Sequence, residues 1–224
     1  ADKNKKITLS EILGLDALKL LGDRNFLVFF VSSILICIPL AFYYQYTNSF
    51  LVDVGMQNST GKMTIGQMSE VIFMLLLPIF FKKYGFKNTI LVGMLAWALR
   101  YVLFAFGDAG SLSFMLILGI ALHGICYDFF FVSGQIYTNA KAGPNVKSAA
   151  QGLITLATYG VGMLIGFEAA GYITEINTQI VIEAGVESQV KNWNMIWLYP
   201  AGFAGVILML FFVGFKNENI EYQE

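Results

Sequence analysis

Long apolar runs constrain this chain more than any other feature of its sequence. Six stretches of roughly 20 mostly apolar residues can be drawn along it, and a helix needs about 20 residues to cross ~30 Å of hydrocarbon. The alternation that marks a membrane barrel strand is missing from these runs, so helices must satisfy the backbone hydrogen bonds in lipid. The sequence therefore predicts an all-α polytopic membrane protein with six transmembrane helices, at 26–52, 64–81, 88–106, 112–137, 148–173 and 195–215.

Composition supports this prediction and excludes other classes. Hydrophobic residues make up 57% of the chain, charged residues only 13%, and the mean hydropathy is +0.65. These values lie far from those of an ordinary soluble domain. The net charge of -1 gives no indication of a nucleic-acid partner. Cys37 and Cys126 fall inside apolar runs, so we expect buried small side chains without a disulfide, a metal ion or another cofactor.

The distribution of basic residues predicts the topology. Most of them precede the first run, lie between the second and third or the fourth and fifth, or follow the sixth. By the positive-inside rule, both termini are then cytoplasmic. The longest loop on the opposite side, 177–193, is acidic and polar. The basic residues on the cytoplasmic side are Lys3, Lys5, Lys6, Lys19, Arg24, Lys82, Lys83, Lys87, Lys141, Lys147 and Lys216, against Lys62 and Lys191 on the other.

The chain divides into three predicted parts. Residues 1–25 contain "LSEILGLDALKLLG" and form a cytoplasmic amphipathic linker, residues 26–215 form the six-helix bundle, and residues 216–224 form a cytoplasmic tail. Six spans with both ends inside match one half of a twelve-helix transporter, because the major facilitator class is built from two six-helix halves. The sequence contains no second half. We therefore expect a missing N-terminal six-helix half as a partner.

Ionisable residues inside the predicted spans are few and point to function. Glu70, Arg100 and Asp128 each lie about a dozen residues from the cytoplasmic end of their span, which places all three near the bilayer midplane. Charges in hydrocarbon are costly and usually face a cavity or a partner. Arg100 and Asp128 form either an ion pair, which we favour, or an alternative proton site. Glu70 is the first candidate for a group that binds substrate and takes up a proton.

Polar pairs at helical spacing surround these charges. Each pair is three or four residues apart and so shares one helix face. Amides present a donor and an acceptor side by side, which suits hydroxyls and heterocycle edges, and the rings add stacking surfaces. The alternative is that these groups join helices, at about 0.6 kcal/mol each. Three pairs at similar depth favour a ligand cavity. The pairs are Gln45 with Asn48, Gln67 with Glu70, and His123 with Tyr127.

Several motifs make the sequence recognisable. They are "QYTNSFL", "GQMSE", "YGFKNTILVGMLAWALRYVLFAFGD", "HGICYDFFFVSG" and "SAAQG", and together they cover nearly the whole chain. The chain resembles the C-terminal half of the bacterial nucleoside:proton symporter family of the major facilitator superfamily. The resemblance implies nucleoside uptake by proton symport across the bacterial cytoplasmic (inner) membrane. The partners it implies are a nucleoside, protons, membrane lipid and the missing half.

The resemblance also implies which residues of this chain are functional. Gln45 and Asn48 match the amide pair of the family, and Gln67 and Glu70 match its glutamine and acidic pair. Asp128 matches the aspartate of its Phe-Asp-Phe-Phe stretch, so Glu70 and Asp128 are the candidates for proton coupling. Two substrate-binding positions depart from the family: His123 and Tyr127 stand where close relatives have Tyr and Phe. Aromatic stacking on the base is preserved in kind, but the base preference and the pH response of the family do not carry over to this chain.

Other classes of membrane protein also have six spans. The chain could be a different proton-coupled permease for small polar solutes, or a structural six-helix module. An intramembrane protease with Ser133 and His123 as its catalytic pair is excluded, because ten positions on one helix separate the two side chains by about 15 Å, far beyond hydrogen-bond reach. A channel would need a repeated ring of like residues, which the sequence lacks. We therefore predict a transporter and not an enzyme.

Overall fold

The computed structural model describes residues 15–183 and 186–218. Within those residues five helices are long and apolar enough to cross a membrane, and the chain is a multi-pass α-helical membrane protein. They are α1 (Arg24–Asp53), α2 (Ser59–Phe106), α3 (Ser113–Pro144), α4 (Val146–Ile176) and α5 (Trp193–Gly214). A 3-10 helix at Leu15–Gly22 precedes α1. The rest of the predicted amphipathic linker and the end of the tail lie outside the described residues.

Helix α2 is longer than a single membrane crossing requires. Its 48 residues would extend about 72 Å at 1.5 Å per residue, more than twice the hydrocarbon thickness. The helix is interrupted at Gly85, whose φ of 74° and ψ of 171° are non-helical. A positive φ is costly for residues with a Cβ, which explains glycine at this position. The predicted second and third spans both fall within α2, one on each side of Gly85.

Two helices depart locally from α geometry. Helix α3 is α-helical at Ser113–Ala121 and His123–Tyr127 and π-helical at Asp128–Val132. An α-helical stretch, Ser133–Thr155, then crosses the break between α3 and α4, where Gly143 has φ 65° and precedes Pro144. Helix α4 continues with a π-helical segment at Leu156–Gly162 and an α-helical one at Met163–Ile176. π-Helical segments are rare and frequently accompany functional positions.

The connection between α4 and α5 is a β-hairpin. Strands β1 (Thr178–Glu183) and β2 (Val186–Lys191) pair antiparallel, with Ile180 opposite Gln189. The connection predicted at 177–193 is present, but its strands were not predicted. The β-branched run Ile180, Val181 and Ile182 favours an extended strand, although the polar residues around it resemble a loop in composition.

Close helix contacts hold the bundle together. Helix α1 packs against α4 and α5, and α2 packs against α3 and α5. Glycines permit the closest approach of α4 to α1. A Cβ on Gly162 would lie 2.7 Å from the Ile34 carbonyl oxygen, and one on Gly166 would lie 2.7 Å from the Ala41 Cβ. Small residues at such positions let helix backbones approach in a membrane, where packing stabilises the association.

At one end of the bundle a group of side chains joins three helices. We call it the terminal junction and define it as Asp23, Tyr137, Lys141 and Glu218. Lys141 Nζ lies 3.1 Å from Asp23 Oδ2 and 2.9 Å from Glu218 Oε1, and the Tyr137 hydroxyl donates to Glu218 Oε2 at 3.3 Å. The Tyr137 ring stacks on Phe86 with 4.3 Å between centroids. The junction thereby links the start of α1 and the end of α3 to the residues that follow α5.

Candidate functional site

Helices α2 and α3 touch at Gly124, and this contact positions the site. A Cβ on Gly124 would lie 2.6 Å from the Glu70 amide nitrogen and closer still to the Ser69 carbonyl carbon. The Gly124 N–H donates to Ser69 Oγ at 2.9 Å, and that hydroxyl donates to the Gly66 carbonyl at 2.7 Å. The absence of a side chain at Gly124 therefore lets Glu70 of α2 meet His123 of α3.

His123 connects Glu70 to Arg100. Its Nε2 lies 2.9 Å from Glu70 Oε1, and its Nδ1 lies 3.0 Å from Arg100 Nη2. The Arg100 side chain is fully buried and His123 nearly so, whereas 27% of the Glu70 side chain is exposed. The three side chains, which we call the Glu70 cluster, thus run from an accessible carboxylate to a deeply buried guanidinium.

Tyr43 of α1 covers this cluster. Its ring stacks on His123 with 4.9 Å between centroids and an interplanar angle of 19°, and Arg100 Cζ lies 3.4 Å from its centroid. This is a cation–π contact in a buried setting, where such contacts are worth about 2 kcal/mol or more. Tyr43 was not among the residues predicted from the sequence. The signal was present in the aromatic pair Tyr43 and Tyr44, which comes directly before Gln45.

Arg100 and Asp128 do not form the predicted ion pair. Arg100 contacts His123 and Tyr43 instead, and both carboxyl oxygens of the fully buried Asp128 are without a hydrogen-bond partner among the described residues. Counting residues along a helix gives the depth of a side chain but not the direction in which it points. Asp128 also begins a π-helical segment, which changes that direction relative to an α-helix.

The predicted amides lie on the exposed surface of α1 and α2. Gln45, Asn48 and Gln67 are all exposed. Asn48 Oδ1 accepts from Ser59 Oγ at 3.0 Å, which links the end of α1 to the start of α2, and Gln45 Nε2 donates to the Tyr46 hydroxyl at 3.2 Å. Asn48 therefore contributes to a helix contact while its side chain remains accessible.

Tyr127 meets a second residue that the sequence analysis missed. Its hydroxyl lies 2.8 Å from that of Tyr159, which belongs to the π-helical segment of α4 and is 44% exposed. The Tyr127 ring is tilted against His123 with 6.0 Å between centroids. Tyr159 has no polar neighbour at helical spacing in "LATYGVG", so only the packing of α3 on α4 identifies it.

The exposed groups share one chemical character. Amides, a carboxylate and a tyrosine hydroxyl pair offer donors and acceptors, and Tyr44, which is 50% exposed, adds a ring face. Such groups suit a solute with hydroxyls and a flat polar ring. Glu70 also bonds to His123, which contacts the buried Arg100. Costly ionisable groups inside a helical membrane bundle mark substrate and ion pathways.

The class that this fold and site define is a membrane transporter. Comparison with known families makes the assignment specific, because the model of the Nucleoside H+ symporter family matches residues 1–220. The chain belongs to the nucleoside H+ symporter family.

Curated relatives agree with this assignment. The chain is 43% identical to the putative nucleoside transporter YegT of Escherichia coli (strain K12) over 96% of its length. It is 30% identical to the nucleoside permease NupG of the same strain over 93%, and 30% identical to its xanthosine permease over 98%. The matched regions are 51%, 51% and 53% of these relatives, so the chain spans about half their length.

Solved structures of NupG have the same fold. One crystal structure of this nucleoside transporter matches with a TM-score of 0.79 and 30% identity, covering 97% of this chain and 54% of that one. A structure of a NupG mutant matches with a TM-score of 0.82 and 28% identity, covering 96% and 55%. The described helices therefore have the arrangement of about half of a nucleoside transporter.

Proposed function

We propose that this chain is the C-terminal half of a proton-coupled nucleoside transporter and that the complete protein performs nucleoside:proton symport. Family membership and relatives twice as long support the proposal. The observation that carries it is the Glu70 cluster: a partly exposed carboxylate that is hydrogen-bonded to a buried ring and lies three residues from the exposed amide of Gln67 on α2. The proposed activity is transport, with no covalent chemistry on the substrate.

The contacts of His123 support six membrane spans. Glu70 and Arg100 are 30 residues apart on α2, which in an uninterrupted helix would separate them by about 45 Å. Both side chains nevertheless bond to nitrogens of the same imidazole. We infer that the chain reverses at Gly85, so that α2 supplies two spans and the whole chain supplies six.

Six spans fit one half of a major facilitator fold, with the second half supplied by the missing N-terminal six helices. We assign residues 26–215 to the transmembrane bundle, 1–25 to a cytoplasmic linker and 216–224 to a cytoplasmic tail. The positive-inside rule supports both termini on the cytoplasmic side of a bacterial inner membrane. The terminal junction, which ties Asp23 to Glu218, supports placing both ends on the same side.

The proposed substrate site lies on the exposed polar face. The amides hydrogen-bond to the base edge and the sugar hydroxyls, Tyr127 supplies a ring surface, and the nearly buried His123 contributes through its hydrogen bond to Glu70. Lipid covers the opposite, apolar faces of the bundle, and the second half of the protein closes the substrate face. The residues that we assign to substrate binding are Gln45, Asn48, Gln67, Glu70, His123 and Tyr127.

Glu70 and Asp128 are the proposed proton-coupling groups. Glu70 can contact substrate and proton alike, because it is partly exposed and bonds to His123. Asp128 is buried without a hydrogen-bond partner in the described residues, and an isolated buried carboxylate is strongly disfavoured. A proton on Asp128 removes that charge. Glu70 is the first candidate because it lies where substrate can reach it.

The test is Glu70→Gln in the complete protein, because an amide keeps the size of the side chain but cannot exchange a proton. We expect nucleoside uptake driven by a pH gradient to collapse, while nucleoside binding survives in part and loses much of its pH dependence. Uptake into vesicles with and without an imposed gradient, together with binding at several pH values, measures both.

Glu168→Gln is the matched control, since Glu168 is an exposed acid on α4 with no contact to the Glu70 cluster among the described residues. This control should leave gradient-driven uptake unchanged. Intact accumulation in the Glu70→Gln protein would refute its role as proton carrier and transfer that role to Asp128. Proton-coupled uptake of other small polar solutes with no response to nucleosides would favour the alternative of a different permease.

A further inference from the structure

The geometry points to a fixed tautomer of His123: Arg100 holds the imidazole neutral with its hydrogen on Nε2, so that His123 positions Glu70 and does not itself carry the proton. The tautomer follows from contacts in this chain alone. Its consequence for transport rests on the symport proposed above.

The assignment follows from the hydrogen-bonding capacity of arginine. A guanidinium has five N–H donors and no acceptor, and it stays charged in proteins. Arg100 Nη2 lies 3.0 Å from His123 Nδ1, so this nitrogen must accept. A neutral imidazole with an accepting Nδ1 carries its hydrogen on Nε2. That N–H then faces Glu70 Oε1 at 2.9 Å and donates to it.

The guanidinium has little freedom to leave this position. Arg100 is fully buried, and its Cζ lies 3.4 Å from the Tyr43 ring centroid. The same ring stacks on His123 and holds both groups on one face. Protonating Nδ1 would place an N–H against an N–H and a second cation beside Arg100, at a depth where charges interact strongly.

No other neighbour of the ring changes this assignment. The described titratable groups that contact His123 besides Arg100 and Glu70 are phenols. They approach through ring contacts and leave Nδ1 to Arg100. These phenols are Tyr43 and Tyr44 from α1 and Tyr127 from α3.

The arrangement assigns a division of labour. Arg100 acts through His123 as a positioning residue for Glu70, with no contact to substrate. The Nε2–H keeps one carboxyl oxygen of Glu70 in place whether the other oxygen carries a proton or accepts from a sugar hydroxyl. The proton that crosses with substrate then binds to Glu70 or Asp128, and His123 keeps the same tautomer throughout.

The direct test is the ¹⁵N spectrum of histidine in the complete protein, reconstituted in lipid. His123 is the single histidine of this chain, and subtraction of the His123→Gln spectrum isolates it from any histidine in the other half. We expect a pyridine-type shift for Nδ1 and a pyrrole-type shift for Nε2 at pH 7. A hydrogen on Nδ1, or an imidazolium at pH 7, would overturn the inference. This measurement needs no substrate, so it stands even if nucleoside uptake fails.

Arg100 variants show whether arginine sets the tautomer. Lysine at this position also only donates, whereas glutamine can accept through its oxygen. We therefore expect Arg100→Lys to keep the Nε2–H signature and Arg100→Gln to add a population with hydrogen on Nδ1. The same single tautomer in a folded Arg100→Gln protein would overturn the role of Arg100. If either variant fails to fold, the unmodified spectrum still decides the tautomer.

Two substitutions of His123 test the positioning role in uptake. Glutamine can accept from Arg100 and donate to Glu70, whereas phenylalanine keeps the ring on Tyr43 but offers neither group. A lost hydrogen bond to a charged buried group typically lowers affinity by about tenfold to a hundredfold. We expect uptake by His123→Phe to be lower than uptake by His123→Gln by a factor of about ten or more. Equal uptake would contradict the positioning role.

Discussion

The terminal junction and the Glu70 cluster both place charged groups in the helical bundle, but they satisfy those charges in different ways. At the junction, Lys141 meets two carboxylates, Asp23 and Glu218. In the Glu70 cluster the buried Arg100 meets a neutral ring nitrogen and an aromatic face. The nearby Asp128 has no described hydrogen-bond partner at all.

This difference distinguishes the structural role of the terminal junction from the transport role proposed for the Glu70 cluster. Paired charges stabilise one protonation state and one geometry, because losing either partner leaves the other uncompensated. Ionisable groups that lack an oppositely charged neighbour can gain or lose a proton when a substrate or a second half of the protein binds. We therefore expect substitutions at the junction to change stability, and substitutions around the Glu70 cluster to change transport.

The largest effect is expected for Gly124→Ala, which breaks the contact that holds Glu70 against His123. The new Cβ would overlap the backbone of Ser69 and Glu70, so α2 and α3 must separate. Overpacking of this kind costs about 1 to 3 kcal/mol. We expect a lower thermal midpoint in detergent together with loss of nucleoside uptake.

Gly152→Ala is the matched control for that substitution, because nothing lies within 4 Å of a Cβ at Gly152. Alanine there should leave the midpoint unchanged or raise it, since alanine favours a helix more than glycine does. Equal effects of the two substitutions would show that the close contact at Gly124 does not hold the site together.

A smaller effect is expected for Lys141→Met, which removes the shared partner of Asp23 and Glu218. The side chains are partly exposed, so we expect a loss of about 1 kcal/mol in unfolding free energy, measured by denaturation in detergent. Gradient-driven uptake should keep its pH dependence. Lys147→Met, at an exposed position near the same helix break, should change neither quantity. Loss of proton coupling in Lys141→Met would erase the distinction between junction and site.

The junction also predicts an acid dependence of stability. Partial burial raises the pKa of Asp23, but hydrogen bonds from the Phe26 backbone and from Lys141 outweigh this effect and lower the pKa below its ordinary value of 3.8. A carboxyl group whose pKa is lower in the folded than in the unfolded state stabilises the fold at pH values above the unfolded pKa. This contribution is lost as the pH falls through the folded pKa. The difference between the unmodified protein and Lys141→Met should therefore shrink below about pH 4.

The smallest effect on stability is expected for Asp128→Asn. No described hydrogen bond is lost, and the amide has nearly the same size, so we expect a smaller change in unfolding free energy than for Lys141→Met. The pH dependence of uptake by the complete protein should change nonetheless if Asp128 exchanges a proton. A loss of several kcal/mol would reveal an ionic partner for Asp128 in the other half, and the comparison with the junction would then fail.

Much of the architecture could be predicted from local sequence. The apolar runs predicted helices whose described bounds differ by a few residues, because a hydrophobic run of membrane-spanning length has few other stable structures in lipid. The hairpin was missed, since six-residue strands between polar residues resemble a loop in composition. The basic, glycine-containing segment between the second and third predicted spans is typical of a turn, and it coincides with the non-helical Gly85 inside α2.

Several residues of the candidate site could be named from the sequence, but the contacts between them could not. Glu70, His123 and Arg100 were all identified, yet Arg100 was assigned to Asp128, and Tyr43 and Tyr159 were not named. Helical spacing relates residues within one helix. It contains no information on which face of one helix meets which face of another.

The sequence by itself determined that this protein is a helical membrane protein of the nucleoside H+ symporter family, because the cost of exposing backbone groups to lipid and the family motifs are both local properties of the chain. Tertiary structure alone decided that His123 joins Glu70 to Arg100 and that Asp128 has no hydrogen-bond partner among the described residues. The physical reason is the close approach at Gly124 and the π-helical turn at Asp128. Both set the direction of side chains, which depends on packing between helices distant in sequence.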